Sequence, residues 1–229
     1  MLAGRGQLRL AVRVTPFLLA LAASTCAAGQ QPAAPAASLA TPEERVCIPQ
    51  GNAWRPLATE DDRRRLRRWR DSWTEALASA RGGGHAEDVT REGVLLDPDA
   101  ALADPAPPAG DYDCRTVKVG SQNDLLPFVA YPAFLCRIRN DNGRLTFTRL
   151  NGSQRPVGRL YPDIERRLVF LGTLQLGDER RSYQYGIDSD RDMIGILERI
   201  GPNRWRLAFP SPRFESLLDV IELTPRNRR

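Results

Sequence analysis

From Tyr112 to Leu223 the chain alternates short apolar runs with tight turn signals, and that cadence restricts it to a few antiparallel folds. Nine runs read as strands: 114–119, 128–139, 145–150, 157–161, 168–176, 182–185, 194–200, 204–209 and 217–223. Between them lie Asn140-Asp141-Asn142-Gly143, Asn151-Gly152, Pro162-Asp163, Gly177-Asp178, Asp188 to Asp192, and Gly201-Pro202-Asn203. These residues favour the backbone conformations of hairpin turns. Leu168, Phe170, Leu174 and Leu176 share one face of their run, and Trp205, Leu207 and Phe209 share one face of theirs. A meander of eight or nine short strands tends to curl and close, because closure removes its unpaired edges. The expected fold is mainly β (α+β): an antiparallel meander closing into a small up-and-down, lipocalin-like barrel.

Upstream the period changes to a helical one. Thr59, followed by Asp61 and Asp62, has the form of a helix start. Leu66, Trp69, Trp73, Ala76, Leu77 and Ala80 then form one apolar stripe, ended by Gly82-Gly83-Gly84. This 59–81 helix is expected to pack on the barrel or plug it, with Trp69 and Trp73 as docking residues. Six arginines at 63, 64, 65, 67, 68 and 70 flank the stripe, interleaved with Asp61, Asp62, Asp71 and Glu75. They suit either an anionic surface or a solvated face with local ion pairs. A shorter helix is expected over 86–92, followed by a proline-rich connector around Asp104-Pro105-Ala106-Pro107-Pro108.

The N-terminus sets the compartment. Arg5, Arg9 and Arg13 precede the apolar run from Phe17 to Ala23, and small residues follow from Ser24 to Gly29. A basic start, a short apolar stretch and a small-residue exit make a secretory signal. Cleavage after Ala28 gives free secretion. Cleavage before Cys26 gives a lipid anchor, although Ala23-Ser24-Thr25 departs from the lipobox pattern at two positions. The organisation expected is a signal peptide over 1–28, a low-complexity linker over 29–43, a helical segment and connector over 44–109, and the barrel region over 110–229. The formal charge of +5 falls to +2 without the three signal arginines, which is not a nucleic-acid-binding balance. An oxidising compartment permits a disulfide. Cys114 and Cys136 lie on neighbouring predicted strands and are the expected pair, with Cys47 left over or competing for Cys114.

Three segments carry a family resemblance: Gly110-Asp111-Tyr112-Asp113-Cys114-Arg115, Gly152-Ser153-Gln154-Arg155-Pro156-Val157-Gly158, and Glu198-Arg199-Ile200-Gly201 through Trp205-Arg206-Leu207 to Asp219-Val220-Ile221-Glu222-Leu223. With Trp69-Arg70-Asp71, they make the chain from about Trp54 to Pro225 resemble an uncharacterised family of small exported alphaproteobacterial proteins that carry a domain of unknown function. The resemblance implies no particular activity, and the barrel expectation rests on the strand pattern alone.

Reactive constellations are sparse. His85, the single histidine, follows a glycine hinge and has no nucleophile motif near it. Asp188, Asp190 and Asp192 have the one-three-five spacing that opens a calcium loop, but Met193 stands where the loop needs glycine and Arg199 where it needs glutamate. A hydrolytic carboxylate pair drawn from Glu198, Glu215, Asp219 and Glu222 would have to converge across a cleft. Glu198 and Arg206 fall on adjacent strands, with Arg155 and Trp205 nearby in the pattern. Pointing inward, Glu198, Arg206 and Arg155 would recognise a polar ligand, and the bulky Trp205 would pack or line a pocket; pointing outward, Glu198 and Arg206 form a cross-strand pair. No phosphate loop or dinucleotide fingerprint is present, and no cofactor is expected. The expectation is an exported monomer, periplasmic or associated with the outer membrane. It would be a non-enzymatic barrel that binds a small molecule or an envelope protein. Membrane contact would come only through an N-terminal lipid, and nucleic acid is not a partner. The alternatives are a structural envelope protein docking through the 59–81 helix and a carboxylate-based hydrolase.

Overall fold

The computed structural model describes residues 52–123 and 125–226. The signal, the linker, Cys26 and Cys47 lie outside the described residues.

Eight strands form a closed antiparallel barrel in sequence order: β1 (Gly110–Ser121), β2 (Phe128–Asp141), β3 (Arg144–Arg149), β4 (Gln154–Ile164), β5 (Arg167–Leu176), β6 (Asp192–Gly201), β7 (Arg204–Pro210) and β8 (Ser216–Pro225). Each pairs with its successor, and β8 returns to β1 with Cys114 opposite Leu223 and Lys118 opposite Asp219. The meander and its closure are as the strand cadence predicts. The expected strand at 182–185 is absent: these residues belong to the long β5–β6 loop. Tyr185 supplies the reason, because its hydroxyl hydrogen-bonds to Asp62, so the segment is tied to a helix rather than to a ladder.

The interior is apolar. Tyr112, Ile138, Leu145, Phe147, Leu160, Leu168, Phe170, Leu197, Trp205, Leu207 and Leu223 pack around the Cys114–Cys136 disulfide, whose Cα atoms are 5.8 Å apart. Phe170 sits edge-on to both Phe147 and Phe209, a favoured aromatic geometry.

A helical layer covers one side of the barrel from outside. It consists of α1 (Glu60–Arg67), α2 (Trp69–Ala80) and α3 (Ala86–Glu92). Thr59 caps α1 by accepting the Asp62 N–H. The expected single helix breaks at Arg68, where φ and ψ leave the helical region. The break divides the stripe between two patches of a curved wall. Leu66 packs with Trp54 and Ala58 on Val169, Leu171, Ile194 and Ile196. Trp73, Ala76, Leu77 and Ala80 pack on Val117, Val119, Ala208, Leu218 and Val220. Trp69 touches both patches. Gly120 allows a close approach: a Cβ there would lie 2.8 Å from the Ala76 Cα, and its φ of +70° also suits glycine. The helix arginines form local ion pairs, including Arg63 with Glu60 at 2.9 Å and Arg68 with Asp71 at 3.7 Å.

Candidate functional site

The two ends of the barrel differ. One end carries the short turns after β2, β4 and β6, and its interior is filled by side chains such as Tyr112 and Trp205. The other carries the connections at 122–127, 150–153, 177–191 and 211–215. There the inward positions change from apolar to charged, and a cavity of about 270 Å³ opens. Phe134, Leu174, Met193, Phe209 and Ile221 give its apolar wall, and Thr116, Lys118, Arg149 and Asp219 its polar wall. We call this opening the cup.

Lys118 and Asp219 face each other across the β1–β8 ladder, with Nζ 3.0 Å from Asp219 Oδ2 and 3.1 Å from Glu215 Oε2. Ser216 Oγ also bonds to Asp219. Burial works against the Lys118 ammonium, but the two carboxylates outweigh it and hold its pKa above the ordinary lysine value.

Arg149 ends β3 on the same polar wall, close enough to β1 to reach Thr116, and is only 8 % exposed. Its guanidinium stacks on Phe134, with Cζ 3.6 Å from the ring centroid. Nε donates to the Asn151 carbonyl at 3.1 Å and Nη1 to Thr116 Oγ1 at 3.3 Å. Gly152 makes room for it: a Cβ there would lie 2.7 Å from Nη2, and φ is +92°. Among the described residues no carboxylate comes within 4.0 Å of this guanidinium, and no acceptor meets Nη2. Burial lowers its pKa from the usual arginine value, yet a guanidinium stays charged at neutral pH.

The long β5–β6 loop is pinned beside the cup. Tyr185 donates to the fully buried Asp62 and accepts the Thr59 N–H at 3.0 Å. Arg65 bonds to Asp62 and, at 3.0 Å, to the Asp192 carbonyl. The Asp192 carboxylate accepts the Gly186 N–H at 2.8 Å; burial raises its pKa, and nearby Asp62 adds to the rise.

The residues singled out from sequence are placed elsewhere. Glu198 and Arg206 are opposed on β6 and β7 and point outward, beneath the helical layer. Arg206 donates to Glu198 Oε2 at 2.7 and 2.9 Å, and to the carbonyls of Val94, Leu95, Asp97 and Pro98. It clasps the connector to the barrel. Trp205 is inward at the filled end, edge-on to Tyr112, and among the described residues its indole N–H meets no acceptor. Arg155 lies on the outer rim and gathers the carbonyls of Gly152, Leu176, Gly177 and Glu179. None of Glu198, Arg206, Trp205 or Arg155 lines the cup. His85 pairs with Asp88 at 2.8 Å and stacks on Phe128. Asp188, Asp190 and Asp192 do not converge: Asp188 bonds to the Asp190 N–H and pairs with Arg191, while Asp192 holds Gly186. Among the described residues no cluster of His, Cys, Asp and Glu is arranged to hold a metal ion. Of the hydrolase carboxylates, Glu222 is outward with Arg115 and Arg204, and only Glu215 and Asp219 meet, on Lys118.

Sequence reasoning missed Lys118 and Arg149. Strand parity contained a signal for Lys118. Cys114 faces inward, so the two-residue period carries Thr116 and Lys118, the single lysine of the chain, to the same face. The same parity carries Arg149 to the face of Leu145 and Phe147.

Barrel, helical layer and cup together define a class: a closed eight-stranded up-and-down barrel, packed at one end and open at the other to a cavity of about 270 Å³. Within that class, the chain belongs to the family described as a domain of unknown function, DUF4893, which it matches over residues 54–223. No curated protein and no solved structure matches it.

Proposed function

We propose that the protein is an exported, non-enzymatic binding barrel that takes one small, partly apolar molecule in the cup. The observation that carries this reading is the cavity of about 270 Å³ in a barrel whose other end is packed solid. Its volume is close to the lower edge of the roughly 300–1,000 Å³ range of small-molecule sites. At about 30 Å³ per water in the liquid, it has room for roughly ten non-hydrogen atoms. Export is supported by the basic and apolar start of the chain, and the Cys114–Cys136 disulfide accords with an oxidising compartment. Lys118 offers the cup no free amine, because its ammonium lies 3.0 Å from Asp219 and 3.1 Å from Glu215. An ammonium held charged by two carboxylates is neither a base nor a nucleophile at neutral pH.

A second reading, a protein partner at the mouth, is favoured by one observation. Leu125, Leu126, Ile187 and Phe214 are exposed by 75, 65, 70 and 52 % on the loops of the open end. The alternative of docking through the 59–81 helix has less to offer, because the apolar stripe of that helix is buried against the barrel.

Titration with octan-1-ol, followed through backbone amide shifts, tests the main reading. Saturable, one-to-one shifts at Leu174, Met193, Phe209 and Ile221 are expected. Leu174→Trp, which fills the cup, should abolish them. No saturable shift at these positions, or binding that Leu174→Trp leaves intact, would overturn it.

A further inference from the structure

We infer that the molecule taken up in the cup is a small amphipathic carboxylate, its apolar body against Leu174, Met193, Phe209 and Ile221 and its head on Arg149. This rests on the cup being a ligand site, and it adds the chemical class.

The argument begins with what a buried arginine requires. A guanidinium carries five N–H donors in a planar fork and is always charged. Inside a protein its donors are ordinarily met, because an unmet buried charge is costly. Arg206, on the far side of β7, follows that rule with a carboxylate and four carbonyls. Arg149 does not. It is held in place by Phe134 behind, Thr116 beside and the Asn151 carbonyl at Nε, and its Nη2 edge is left open. Three fixed contacts and a glycine cut to fit it keep the fork oriented in the absence of a counter-ion.

The neighbouring charges do not fill that edge. Asp219 is engaged by Lys118 and Ser216, and Glu215 by Lys118. Arg65, Arg191 and Arg213, the other cations of the cup wall, are paired with Asp62, Glu179 and Asp61. Arg149 is the cup cation without an ion-pair partner among the described residues. Its planar edge matches the two oxygens of a carboxylate, which can accept from both Nη1 and Nη2. Leu174, Met193 and Phe209 bring apolar surface to the cup from β5, β6 and β7, so the ligand carries an apolar part.

A matched pair of probes separates this inference from the reading beneath it. Octanoate and octan-1-ol share a chain length and differ in the head group. Wild-type protein is expected to bind octanoate about tenfold or more tightly than the alcohol at pH 7, since charge-assisted hydrogen bonds are roughly twice as strong as neutral ones. In Arg149→Gln the ratio of octanoate to octan-1-ol affinity should fall to within about twofold. Arg149→Lys, which keeps charge but loses the fork, is the second variant and should fall in between. Equal affinity of wild-type protein for the two probes would overturn the carboxylate assignment and leave the cup standing. Binding of neither would remove both. An undiminished preference in either folded variant would overturn the role of Arg149.

Discussion

Two arginines show how the same side chain takes opposite parts. Arg206 is fully buried and fully partnered, so its role is structural. Removing it strands Glu198 beneath the helices. Arg206→Met is expected to cost about 3–5 kcal/mol in urea unfolding, as for other broken buried pairs, and the double variant with Glu198→Leu should recover much of that loss. Lys118 gives a pH signature. Its folded pKa lies above the ordinary 10.5, so folding favours its charged form. That contribution is fully present below about pH 10.5 and is lost as pH rises through the higher folded value. Urea midpoints should therefore drop more steeply above pH 10.5 in wild type than in Lys118→Met. Burial also pushes the Tyr112 hydroxyl up to about 12, a cost shared by both proteins, so their difference isolates the lysine. Residue roles were the least legible part of the sequence. A cross-strand Glu198–Arg206 pair follows from spacing, but which side of the sheet it faces depends on a helical layer that spacing does not describe.

At the scale of elements, legibility followed local period. The two-residue alternation marked the eight strands, and the helical stripe marked α1 and α2. Alternation blurs where strands are covered on both faces. Leu168 to Leu171 and Ile194 to Leu197 are continuous apolar runs because the barrel core lies on one side and the helices on the other. The break at Arg68 was illegible because it lies between two patches of barrel wall, one under Leu66 and one under Trp73, that spacing does not describe. Residues 182–185 look like a strand by composition, but Tyr185 is spent on Asp62. The helical layer depends on Trp73, which is buried between α2 and the barrel and donates to the Leu96 carbonyl at 2.9 Å. Trp73→Ala should cost about 3–5 kcal/mol, read by thermal unfolding. The disulfide joins adjacent strands 22 residues apart, and loop-closure entropy puts its loss at about 3 kcal/mol. Urea unfolding of Cys114→Ala/Cys136→Ala measures it.

At the scale of the whole molecule, the antiparallel meander was legible, whereas neither its closure nor its hollowness was fixed by the turns alone. Closing a meander satisfies every edge, which favours a barrel, but the same turns serve an open, curled sheet. Whether such a barrel is solid depends on which inward positions carry long charged side chains and how those are tied. Here the short turns lie at the packed end and the longer connections surround the cup. Anchors such as Arg155 on four carbonyls and Tyr185 on Asp62 hold those connections in place.

The most direct test is where a bound molecule sits. Intermolecular NOEs between octan-1-ol and selectively methyl-labelled protein should connect the alkyl chain to the methyl groups of Leu174, Met193 and Ile221, at one ligand per chain. NOEs confined to Leu125, Leu126 and Ile187 on the outer loops would contradict the account.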